Sequence, residues 1–222
     1  MQELLPGLFH WTAFHQRIRM EVSSYYHVAS GTLIDPMLPA EGLAWFEDRG
    51  PLRILLTNRH HYRHSDRFVA AFDIPVACHE SGLHEFEHGP DVEGFGFGDE
   101  LAPGILALEV DAICPDDTAF HLDVGDGALA FADAIIRYGE LGFVPDDYMD
   151  GPQAVKQGVR EAAYRLLDHR FDALLVAHGE PLVGAEGKPC GRLRTASSAT
   201  DGGRGPRPPE PRPFLGVGDP TR

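Results

Sequence analysis

The strongest constraint in this chain is a set of short apolar runs whose C-terminal ends carry polar or ionisable residues. "RILLT" precedes Asn58 and His60, "LEVDAI" precedes the turn "CPDD", "GALAFA" precedes Asp133, and "ALLVA" precedes His178. Runs of this length bounded by turn residues read as buried β-strands. In α/β sheets, sites assemble in the crevice beyond the carboxyl ends of the strands. Asp133 and His178 stand among Ala, Leu and Val, where an ionisable group needs a partner or a metal.

The remaining pattern places helices around those strands. "GLFHWTAF", "SSYYHVA" and "GTLIDP" are strand-like, and "AEGLAWFEDRG" predicts a helix stopped by Gly50. "SDRFVAAFD" predicts a second helix with Ser65 as its cap. From Gly94 to Ala134 the chain reads as all-β, and "GPQAVKQGVREAAYRLLDHRF" is the longest helix, with Pro152 suited to its first turn. Strands followed by β-α-β, more strands, then helix and strand predict an α/β protein with helices covering its sheets.

At 222 residues there is room for one sizeable domain. A formal charge of −15 argues against a nucleic-acid surface. Three cysteines, Cys78, Cys114 and Cys190, form no C-x-x-C pair, which points away from a disulfide framework and towards a reducing cytosol. No run approaches the ~18 apolar residues of a membrane span, and "MQELLPGLFHW" lacks the pattern of a signal peptide. The expectation is a cytoplasmic protein with no membrane partner.

Composition changes near residue 187. Residues 187–222 hold seven Lys/Arg against three acids, with seven Pro and seven Gly, including "GGRGPRPPEPRP". Such a segment buries too little apolar surface to offset its ordering entropy, so it reads as a disordered tail on a folded unit spanning 1–186.

The stretch "ILLTNRHHYRHSDRF", with "ICPDDTAFHL", "GALAFADAI" and "LLVAHGEPL", resembles the metallo-β-lactamase superfamily in order and spacing. The resemblance covers most of residues 4 to 186. It implies a four-layer αββα sandwich and hydrolysis of esters, thioesters, lactams or phosphoesters with one or two metal ions. The family's H-x-H-x-D-H signature falls on Asn58 to Arg63, so only His60 matches a ligand, with Asn58, Tyr62 and Arg63 replacing others. Ile113 stands where a further histidine is expected, whereas the bridging aspartate and the last histidine match as Asp133 and His178.

These departures leave two chemistries open. His64 could join His60, Asp133 and His178 in a site for one zinc or iron ion. Alternatively, Arg63 could pair with Asp133 and replace a metal with an ion pair. Catalytic roles then fall to His60, Asp133 and His178. The chain reads as an atypical or inactive metallo-β-lactamase-like protein binding a small molecule, or as a mononuclear hydrolase of a small ester or thioester. Deletion of residues 187–222 is expected to leave the solubility and thermal midpoint of the rest unchanged, as checked by gel filtration and a melting curve.

Overall fold

The structure is a computed structural model that describes residues 1–184. The tail expected over 187–222 lies outside the described residues.

The first sheet contains β1 (Gln2–Leu5), β2 (Leu8–His15), β3 (Met20–His27), β4 (Thr32–Ile34), β5 (Arg53–Leu55), β6 (Val76–His79) and β7 (Glu93–Phe95), in that spatial order. It is antiparallel from β1 to β4 and parallel from β4 to β7. The helix α1 (Ser65–Phe72) lies between β5 and β6 in sequence. The second sheet begins with β8 (Glu100–Ala102), β9 (Ile105–Glu109), β10 (Thr118–Leu122) and β11 (Ala128–Phe131). A separate hairpin, β12 (Ile136–Tyr138) and β13 (Glu140–Gly142), and then α2 (Pro152–Leu166) lead to β14 (Ala173–Val176) and β15 (Leu182–Val183). The second sheet runs β15-β14-β11-β10-β9-β8, with β11 and β14 parallel.

Three apolar clusters separate four layers. Phe46 and Phe68 pack on Tyr26, Leu33, Ile54 and Val76 at the outer face of the first sheet. Tyr25, Ile34 and Leu55 meet Phe120, Ala130 and Leu175 between the sheets. Val159, Ala162 and Leu166 of α2 cover Leu129, Phe131 and Leu174 on the outer face of the second. Neighbouring residues such as Leu33/Ile34 and Leu174/Leu175 thus feed different clusters, which is why these strands are apolar throughout and not alternating. This is the expected αββα sandwich.

Local expectations differ at two places. The helix expected around "AEGLAWFEDRG" is only a 3₁₀ turn, Leu43–Phe46, enough to drive Phe46 into the core. Ser65 is the first residue of α1 and not its cap, because His64 occupies the capping position with its backbone N–H on Pro36. Pro152 does open α2. No helix among the described residues is long and apolar enough to cross a membrane.

The two sheets are tied where the polar loops emerge. Ser23 N–H donates to Ala177 O at 2.9 Å and Thr118 N–H to Thr57 O at 2.9 Å. Tyr25 Oη donates to Val176 O at 2.8 Å and accepts from Val176 N at 3.0 Å. Tyr25→Phe would keep the ring but orphan both buried backbone groups. We expect a loss of about 1–3 kcal/mol in urea denaturation.

Candidate functional site

Beyond β5 the chain turns abruptly, and that turn decides which histidine faces inward. Asn58 is extended and caps the 3₁₀ turn Arg59–His61, its Oδ1 accepting from His60 N at 2.9 Å. In so tight a turn successive side chains point about a third of a revolution apart. His61 is therefore buried, and His60 is exposed.

The structure brings Asp133 and His178 together, with His61 as the third member. One ring nitrogen from each histidine and one carboxylate oxygen of Asp133 lie within 4.8 Å of one another. Asp133 Oδ1 is 3.3 Å from His61 Nε2 and 2.9 Å from His178 Nε2. This corrects the register read from sequence, in which His60 was the inward histidine. His64 is also outside the set. Its Nδ1 accepts from Leu38 N at 3.1 Å, which commits the ring to the 36–38 segment.

Asn58, Tyr62, Arg63 and Ile113 have separate destinations. Asn58 reaches the site, donating from Nδ2 to Asp133 Oδ2 at 3.0 Å. Tyr62 packs against Phe86, with ring centroids 5.8 Å apart. Ile113 packs against the apolar layer beneath α2. Arg63 turns inward, and Nη1 donates to Ser23 O at 2.6 Å and Asp35 O at 2.9 Å. No ion pair joins it to Asp133 among the described residues, so the direct pair expected from sequence is replaced by two carbonyl contacts.

Asp35 was missed from sequence. It follows β4 in "TLIDP" and obeys the same rule, a polar residue at the end of an apolar strand. Its Oδ1 accepts from Thr57 N at 2.8 Å, and its Oδ2 accepts from Thr57 Oγ1 at 2.5 Å. Oδ2 is also 2.9 Å from His61 Nδ1. His61 therefore has a carboxylate at each ring nitrogen. Burial alone would discharge it, but Asp133 and Asp35 outweigh burial and raise its pKa to about 9. Burial likewise opposes ionisation of Asp133, whose carboxyl the two histidines nevertheless hold well below the usual range.

A second acidic group stands behind the site in the "CPDD" turn. Asp116 is buried and pairs with the Arg59 guanidinium, while its Oδ2 accepts from Arg59 N at 2.6 Å. This anchors the 3₁₀ turn to the second sheet. Asp117 has no such clamp. Neither carboxylate oxygen makes a well-formed hydrogen bond among the described residues, and the Ile113 N–H favours the charged form less than burial opposes it. Burial, then the charge of Asp133, push its carboxyl up to about 8.

The site is part-exposed at its rim. The side chains of Asp133 and His178 are 25% and 13% exposed, against 6% for His61. A cavity of about 160 Å³ between Arg53, Pro75, Glu93 and Leu101 lies elsewhere and touches none of the three. Behind His178, Gly179 adopts a φ of 99°, and an added Cβ would fall 1.8 Å from Arg137 O. Only glycine lets the loop carrying His178 press so closely on β12.

No protein-family model and no curated protein matches the sequence. Solved structures do match in shape. The chain is similar to TTHA1623 in a di-iron-bound form, with 24% identity, a TM-score of 0.59, and 78% of this chain and 94% of that one covered. It is also similar to the BLEG-1 B3 metallo-β-lactamase, at 16% identity and a TM-score of 0.59, covering 79% and 94%. A third neighbour is the metallo-β-lactamase superfamily protein ST1585 from Sulfolobus tokodaii, at 14% identity and a TM-score of 0.61, covering 80% and 81%.

The buried acid Asp117 yields a pH test. Its folded pKa is raised, so between about pH 4 and pH 8 the folded state binds more protons than the unfolded, and stability falls as pH rises. Asp117→Asn is expected to match the parent near pH 4 and to exceed it by on the order of a few kcal/mol at pH 8. Denaturant midpoints measured across that range check this.

Proposed function

From the metallo-β-lactamase fold that the chain shares with these structures, we propose that it carries a single-cation centre, on His61, Asp133 and His178, for hydrolysis of a small ester or thioester. The observation carrying this reading is the convergence of two imidazole nitrogens and one carboxylate oxygen within 4.8 Å. Three protein ligands are the usual set of a catalytic zinc site, and two histidines with one carboxylate also suit ferrous iron. A dinuclear centre does not fit these residues. Asn58 is spent on Asp133, Tyr62 packs against Phe86, and Arg63 brings a permanent cation close to the site.

The surrounding residues suit the three donors to this task. An Nδ1–H on His61 donating to Asp35 leaves Nε2 free to act as a ligand, a common outer-shell arrangement for metal-binding histidines. Asn58 holds Asp133 Oδ2, so Oδ1 is the oxygen that faces both histidines. A divalent ion in such a set supplies Lewis acidity and acidifies water. The part-exposed edge at Asp133 and His178 leaves a side from which substrate can approach.

One observation favours a second reading, a metal-free protein that binds a small molecule at the same place. With His61 protonated, the two cations His61 and Arg63 balance the two carboxylates Asp35 and Asp133 without any ion. Elemental analysis of the full chain, as purified and after zinc or ferrous iron is added, separates the two. We expect one ion per chain, retained in His60→Ala and lost in His61→Ala, with p-nitrophenyl ester hydrolysis following the ion. An ion-free protein under both conditions would replace this reading with the second.

A further inference from the structure

We infer that Arg63 is a resident cation that takes the electrostatic place of a second metal ion, limiting the centre to one ion and weakening its hold on that ion. This rests on the single-cation reading of His61, Asp133 and His178.

The geometry makes Arg63 a fixed charge. A flexible surface arginine would swing away from an incoming dication, but this guanidinium is pinned by Nη1 between Ser23 O of β3 and Asp35 O beyond β4. Its Nη2 is buried without a hydrogen-bond partner among the described residues. The backbone at Arg63 is left-handed, with φ of 48°, a conformation that a residue bearing a Cβ adopts at a cost. Strain of this kind persists where the surroundings enforce it, and it gathers at functional sites. Here it falls two residues after His61, where the side chain runs inward to the Ser23 and Asp35 carbonyls.

The charges around it are consistent with that role. Burial works against the guanidinium, and the carboxylates of Asp35 and Asp133 are its main support. Those same carboxylates bracket His61 from both sides. Arg63 therefore draws on the negative potential that would otherwise attract metal. Arginine keeps its charge at any physiological pH, so the effect does not depend on titration. Like charges held in a poorly hydrated site repel more strongly than in water.

Affinity for zinc, measured on the full chain by competition with a chromophoric chelator, tests this with a readout other than activity. Three variants separate charge from shape. Arg63→Gln removes the charge and keeps a donor, Arg63→Gly removes the charge and suits the left-handed backbone, and Arg63→Lys keeps the charge. We expect the glutamine and glycine variants to bind zinc at least tenfold more tightly than the parent, and the lysine variant to stay within about threefold of it. Melting curves show which variants fold, and the glycine variant carries the test if the glutamine variant does not.

Unchanged or weaker zinc binding in a folded neutral variant would overturn the inference while leaving the single-cation reading intact. Unfolding of both neutral variants would assign Arg63 a purely structural role and also overturn it. If the parent binds no zinc but a neutral variant does, the single-cation reading fails for the parent and the role of Arg63 stands. No binding in any of them removes both.

Discussion

The carboxylate of Asp35 joins the fold to the site. It sits at the end of β4, whose parallel partner β5 leads into the loop carrying the site residues. Two bonds to Thr57 fix the start of that loop, and a third contact holds the ring of His61. Backbone hydrogen bonds of the β4–β5 ladder thereby set the position of an imidazole several residues further on. The second sheet completes the arrangement, since Asp133 follows β11, His178 follows β14, and those strands pair in parallel.

Burying so many charges together requires each to find a counterpart. Asp35 and Asp133 bracket His61, Asp116 pairs with Arg59, and Arg63 donates to the Ser23 and Asp35 carbonyls while the charges of Asp35 and Asp133 favour it. Removing one member of such a set generally costs more than the set contributes, because a charge is left stranded in a poorly solvated place. Asp117 avoids this by holding its proton, at the expense of stability once the pH exceeds the range of an ordinary carboxylate. The site is thus a balanced electrostatic unit before any ligand is considered.

The likeness to metallo-β-lactamase structures concerns shape. Shape is maintained by apolar contacts on both faces of each sheet, which tolerate exchange among Val, Leu, Ile and Ala. Ligand positions tolerate little, because a donor must have the right atom in the right direction. A sandwich therefore survives exchanges that a set of ligands would not. In this chain the amide of Asn58 orients Asp133.

Much of the architecture was legible in the residue pattern because hydrophobic burial acts locally along the chain. Runs such as "RILLT", "GALAFA" and "ALLVA" announce strands buried on both faces, and "PQAVKQGVREAAYRL" announces the helix opened by Pro152. Asp133 and His178 were legible too, since each follows such a run directly. The choice of His61 over His60 was not, because it depends on a single turn capped by Asn58. Asp35, at the end of the strand-like "GTLIDP", was not singled out, because only the fold sets Thr57 and His61 beside it. The destination of Arg63 was the least legible, because one of its acceptors, the Ser23 carbonyl, lies 40 residues upstream. Sequence determined which segments bury themselves and where their polar ends lie. Tertiary structure decided which side chains meet there, because convergence depends on turn geometry and on partners distant along the chain.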